Sequence, residues 1–138
     1  MKATELRPGN LINKTSYVRG CPNTIVTLNG VNNQGFLNVT HLGEKVRLRA
    51  QSIHYFEPII LTDEWLLKFG FVYVGEFDEY RYRDETNWFG ICDDCDSNGT
   101  KFYFFERQNM STVVIESVHQ LQNLYFALAR EELTIKGL

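Results

Sequence analysis

Thr62-Asp63-Glu64-Trp65-Leu66-Leu67-Lys68-Phe69-Gly70 is the stretch on which the fold turns. Thr62 suits the N-cap of a helix, and Gly70 stands where a left-handed residue closes one. Asp63 and Glu64 fall in the first turn and Lys68 in the last, the order the helix dipole favours. Trp65, Leu66 and Phe69 make one apolar stripe. About two turns of helix do not survive alone in water, so packing must hold this one. The segment also divides the chain, because what flanks it on both sides reads as short strands.

Upstream, the runs 6–12, 24–28, 36–40, 46–48 and 53–56 read as strands. Arg7-Pro8-Gly9 is a turn-like start, Asn29-Gly30 a hairpin signal, and Asn32-Asn33-Gln34-Gly35 a second turn. In the fourth run Val46 and Leu48 point one way and Arg47 and Arg49 the other. Five strands this short suggest a small curled, SH3-like antiparallel sheet. Downstream, 71–77, 79–83, 88–92, 101–106 and 112–116 are strand-like, with turns at Asp78-Glu79 and Asp96-Ser97-Asn98-Gly99. The run 118–132 is a helix: Leu121, Leu124, Tyr125 and Leu128 recur at helical spacing, and Ser117 with Gln120 forms a capping-box pattern. The expected fold is therefore α+β. An N-terminal curled sheet leads to a short helix, then to a second antiparallel sheet with the C-terminal helix packed on it. The only seam is Glu57-Pro58, which separates a small β unit, 1–57, from 58–138, unless the two form one continuous domain.

At 138 residues, with 43% hydrophobic and 22% charged, the chain can build a core without a metal or disulfide staple. The net charge of −3 argues against a general nucleic-acid coat, which needs a basic footprint. No apolar run is long enough to span a bilayer, and the opening Met1-Lys2-Ala3-Thr4-Glu5-Leu6-Arg7 lacks the apolar core of a signal peptide. Three cysteines, an odd number, fit a reducing compartment. The expectation is a cytoplasmic chain without membrane contact. Aromatics reach 14%, which fits pleated β surfaces or a site lined by rings.

Chemistry-bearing patterns are few. Cys92-Asp93-Asp94-Cys95 supplies half of a zinc site, and the other half would have to come from Cys21 with His41, His54 or His119, which form no second ligand pair. No helix follows the cysteines, so a thioredoxin-like pair fails as well. Asp94, Asp96, Asn98 and Gly99 match the start of a calcium loop, but its twelfth position is Phe105, with Glu106 one residue late. No nucleophile–base pair, phosphate loop or dinucleotide motif is present. The reading is that the chain is not an enzyme and uses no metal or cofactor.

Tyr80-Arg81-Tyr82-Arg83, followed by Asn87-Trp88-Phe89, is the remaining constellation. On a strand the tyrosines share one face and the arginines the other. Arginine pairs bind phosphate, and rings stack on bases for about 1–3 kcal/mol each. The same alternation also describes a solvated edge strand blunted by charge. Read as a site, Arg81 and Arg83 neutralise phosphate, Tyr82 or Trp88 stacks on a base, and Arg47 and Arg49 are second-choice contacts.

Three segments carry a resemblance. They are Met1-Lys2-Ala3-Thr4-Glu5-Leu6-Arg7-Pro8-Gly9-Asn10-Leu11, the stretch from Glu57 to Phe71, and Val118-His119-Gln120-Leu121-Gln122-Asn123-Leu124-Tyr125-Phe126-Ala127-Leu128. Together they resemble a family of short proteins from gut-type bacteria and their phages. The resemblance implies a phage or prophage setting, in which small non-enzymatic proteins oppose host defence, some by sequestering nucleotide immune signals. It carries no functional residues, and its segments look like scaffold. Two functions are therefore expected. One is a sponge for a small anionic, nucleotide-like ligand, assembled as an oligomer if the site lies between subunits. The other is an interaction module for a host protein or a virion component, with Tyr, Trp and Arg as anchors.

Overall fold

The structure is a computed structural model that describes residues 1–83, 88–93, 102–106 and 109–137. Side chains are described for all of these except 83, 88, 93, 103–106 and 109–112. The elements run β1 (Leu11–Lys14), β2 (Thr24–Val31), β3 (Leu37–His41), β4 (Phe56–Glu57), then α1 (Asp63–Phe69). They continue with β5 (Val72–Val74), β6 (Glu79–Arg83), β7 (Trp88–Asp93), β8 (Phe102–Glu106), β9 (Asn109–Ile115) and α2 (Val118–Ala129). The fold class is α+β with two antiparallel sheets and a C-terminal helix, as the sequence reads. Two compact units result: Met1–Ile59 with Val118–Glu132, and Ile60–Ser117 with Leu133–Leu138. Among the described residues, no helix is long and apolar enough to cross a membrane.

In the first unit the sheet order is β3-β2-β1-β4. Alternation along the strands turns Ile12, Val26, Leu28, Leu37 and Val39 to one side, where Phe56 joins them in a closed apolar cluster. Three expectations are corrected here. Asn29-Gly30 is not the hairpin turn: β2 runs through it, and Asn29 is the extra residue of a bulge, its amide donating to Thr40 Oγ1 at 2.7 Å. The chain reverses instead at 32–35, where Asn32 Oδ1 accepts from the backbone of Gln34 and Phe36. The expected strand 46–48 adds only one bridge, Thr40 to Arg47, and 53–55 is a 3-10 turn whose leading Ser52 accepts from the His54 amide.

Helix α2, expected on the second sheet, is part of the first unit, where it is tied to β1 and the turn before it. Leu11 N–H donates to Gln122 Oε1 at 2.8 Å, and Gln122 Nε2 donates back to the Gly9 carbonyl at 3.2 Å. Asn10 donates to Asn123 Oδ1 at 2.9 Å, and Asn123 Nδ2 to the Glu5 carbonyl at 2.7 Å. Arg7 forks onto the Glu132 carboxylate with both terminal nitrogens and lies 4.0 Å over the Phe126 ring. Gly9 has φ +93°, a conformation that favours glycine, and an added Cβ would press on Glu132 Oε2 at 3.1 Å. The buried face of α2 is Val118, His119, Leu121, Gln122 and Tyr125. The expected stripe is thus rotated, and Leu128 is exposed. Apolar periodicity misplaced the face because two of its buried members are polar.

In the second unit the sheet order is β5-β6-β7-β8-β9. Helix α1 has the expected bounds, but the Thr62 side chain makes no capping bond. At its other end Gly70 is left-handed at φ 93°, with Gly70 N–H to Leu67 O at 2.9 Å and Phe71 N–H to Leu66 O at 3.0 Å. That pairing is a Schellman closure. Leu66, Phe69, Phe71, Phe89, Ile91, Phe102, Ile115 and Leu133 are buried in this unit. The segment after α2 straps it: Lys136 N–H donates to the Lys68 carbonyl at 2.8 Å, and its Nζ to Tyr82 Oη at 3.1 Å.

Two measurements test this frame. Gln122→Ala leaves the Leu11 amide and the Gly9 carbonyl without their partner, so urea unfolding should show a loss of about 1–3 kcal/mol. An unchanged midpoint would mean that α2 is held by something else. His119 is 2% exposed, and burial pushes its imidazole below the ordinary value, with the N-terminal amine acting in the same sense and Glu5 opposing. The unfolded chain then binds this proton more readily than the folded one. Stability should be full above about pH 6.5 and fall as acid is added below it. His119→Gln should flatten that part of the profile; an identical slope would contradict the assignment.

Candidate functional site

Strand β6 sits between β5 and β7, and its register fixes what each residue faces. Val72 pairs with Arg81, Tyr73 with Tyr80, Arg81 with Gly90, Tyr82 with Phe89, and Arg83 with Trp88. Opposed residues share a face. Positions 72, 79, 81, 83, 88, 90 and 92 therefore lie on one face, and 73, 80, 82, 89 and 91 on the other. The expected cluster is divided by this register: Tyr82 is separated from Arg81, and position 88 joins the arginines.

The tyrosine face is the core face. Tyr82 packs on Phe71 with ring centroids 5.2 Å apart, and Tyr80 packs on Tyr73 at the same spacing. The Tyr80 hydroxyl is pushed up to about 12, first by burial and then by the charge and hydrogen bond of Asp63 at the start of α1. Tyr73 donates to Asp78 Oδ1 at 2.6 Å, which raises it too. Lys136 lies over the Tyr82 ring at 5.4 Å. Tyr82 is thus a packing residue with an ordered neighbour on its ring.

The opposite face carries an ion pair. Arg81 Nε donates to Glu79 Oε1, and the Glu79 side chain is 10% exposed against 35% for Arg81. The guanidinium also lies 4.9 Å over the Phe77 ring. Local charge is close to cancelled, so an incoming phosphate would have to compete with a nearly buried carboxylate. Around this pair the surface is apolar: Val72 is 64% exposed, Phe77 58% and Val114 40%. Through Tyr103, paired with both Cys92 and Val114, the register carries the same face to β9. The side chains of Arg83 and Trp88 lie outside the description. Arg47 and Arg49 are exposed and belong to the first unit.

The other sequence candidates are dispersed. Cys92 is half-buried on β7, whereas Cys21 is exposed in a loop of the first unit. Cys95, Asp94, Asp96, Asn98 and Gly99 lie outside the described residues, and among the described ones no three His, Cys, Asp or Glu gather to hold a metal.

A concavity that the sequence did not announce lies at one end of the first sheet. The loop 15–23 and the ends of β1, β2 and β3 line an open cleft of about 500 Å³, with Lys14, Thr24 and His41 among its lining residues. Hydrogen bonds brace the loop. Thr15 N–H donates to the Tyr55 carbonyl at 2.9 Å, Ser16 N–H to Asn23 Oδ1 at 3.2 Å, and Asn23 Nδ2 to Glu57 Oε1 at 2.6 Å. Tyr17 meets Tyr55 edge-on, 5.1 Å between centroids. Its only sequence signal was Lys14-Thr15-Ser16-Tyr17 after a strand, which has no periodicity to flag it.

No family model, curated protein or solved structure matches this chain.

The pairing on β6 has a measurable consequence. Arg81→Met strands the Glu79 carboxylate and should cost about 1–3 kcal/mol in urea unfolding. Adding Glu79→Gln to it should recover most of that loss. Equal stability of the single variant and the wild type would show that the pair does not hold the charge.

Proposed function

We propose that this chain is a non-enzymatic binding protein that docks a protein partner on the open face of its second sheet. What supports the reading is a single observation: Val72 and Val114 are exposed on the β face that carries a charge-matched Arg81, with Phe77 exposed in the adjoining turn. Exposed apolar groups edged by polar ones mark interaction surfaces, and arginine with aromatic residues supplies most anchors. Capture of a nucleotide by Arg81, Arg83, Tyr82 and Trp88 is less favoured, because Arg81 already holds Glu79 and Tyr82 lies on the core face. The likeness of the chain's opening, middle and C-terminal segments to phage-type proteins points to a host factor as the partner.

Size decides the class of complex. Five strands about 4.8 Å apart and roughly 17 Å long give a face near 300–400 Å². A standard interface buries about 800 Å² on each partner, so this face alone supports a transient complex.

The test immobilises wild-type protein, a Val72→Glu/Val114→Glu double variant and a Val46→Glu variant, and compares what each retains from bacterial lysate. Val46 is 71% exposed in the first unit and serves as the control. The wild type and Val46→Glu should retain one saturable partner, and the double variant should lose at least about tenfold of it. Retention of the same set by all three would remove the sheet face from consideration.

A further inference from the structure

We propose that the cleft beneath the loop 15–23 is a second, separate binding site, and that it takes a small phosphorylated ring compound of the nucleoside monophosphate class. Its volume of about 500 Å³ falls within the usual range for small-molecule sites. The lining contains no carboxylate. It offers the Lys14 ammonium, the His41 imidazole and the Thr24 hydroxyl, all at the ends of paired strands. Strand pairing fixes the floor: Lys14 lies opposite Thr24, and His41 opposite Val26, two residues further along the same strand.

The loop's share of the lining includes apolar and aromatic groups. Tyr17 is 70% exposed, and its contact with Tyr55 is edge-on, which leaves a ring face for stacking. Tyr17 Oη donates a long hydrogen bond to the His54 carbonyl at 3.4 Å, which with the Tyr55 contact favours this placement of the ring. Val18 and Pro22 complete the apolar side. A flat ring on Tyr17 and a phosphate on Lys14 and Thr24 use both kinds of lining group, whereas a bare anion uses one. A cationic ligand would meet Lys14 with no acid in the lining to offset it. Glu44 lines the neighbouring hollow, which shares Thr24 and His41, and it disfavours a second anion there. A monophosphate therefore suits the site better than a longer polyphosphate.

Cys21 makes the site readable, because it is exposed and lines the same cleft. Wild-type protein is alkylated with iodoacetamide in the presence of AMP, adenosine or inorganic phosphate, and labelling is read by peptide mass spectrometry. Cys92, in the second unit, is the internal control. AMP should slow Cys21 labelling at least fivefold at concentrations up to about 10 mM, with adenosine and phosphate each weaker and Cys92 unchanged. Lys14→Met should weaken the AMP effect about tenfold, and Tyr17→Ser should reduce it toward that of phosphate alone. No protection by AMP, or protection that both variants leave intact, would overturn the proposal. Equal protection by AMP and phosphate would overturn the ring half of it.

Discussion

The first unit depends on one buried amide. Gln122 is 2% exposed and answers both the Leu11 N–H and the Gly9 carbonyl, main-chain groups at the point where β1 begins. A main-chain group buried without a partner is expensive, so α2 has one register on β1. Around that amide, Asn10, Asn123, Arg7 and Glu132 extend the contact outward toward solvent. The fork between Arg7 and Glu132 is partly exposed and adds geometry more than energy. Orientation comes from the buried amide, and the rim keeps it.

The second unit solves a different problem. A five-stranded sheet has two faces, and α1 with the Lys136 strap meets the tyrosine side. On the other side an ion pair sits among exposed apolar groups. Glu79 is nearly buried there and would be costly alone, so Arg81 is committed to it. A charged residue on an exposed strand is easily taken for a ligand contact when its neighbour two positions away is the partner.

Much of the architecture was legible. The Gly70 stop, the bounds of α1 and the span of β6 followed from cap chemistry and alternation, which are local. The face of α2 was not, because Gln122 and His119 occupy core positions that a hydrophobic count leaves out. Asn29-Gly30 misled for a related reason: the pair permits a turn but also a bulge, and pairing with β3 decided between them. Arg81, Tyr82 and Trp88 were grouped although alternation along β6 already sets tyrosines and arginines on opposite faces, and only the pairing with β7 shows which side position 88 joins. The cleft near Lys14 was invisible because three strand ends and a loop build it.

The chain leaves the first unit after Ile59 and returns to it at Val118. Ile59 accepts from the Val118 amide at 2.9 Å, while one step inward Leu61 donates to the Glu116 carbonyl at 3.0 Å. Residues 118–132 complete the first unit, and residues from Leu133 complete the second. During synthesis, then, β1 to β4 emerge early yet lack their helix until more than sixty further residues have been made. The second sheet likewise waits for its strap. Both units close within the same short interval of translation, so vectorial folding, one module after another, is denied to this chain by its own threading.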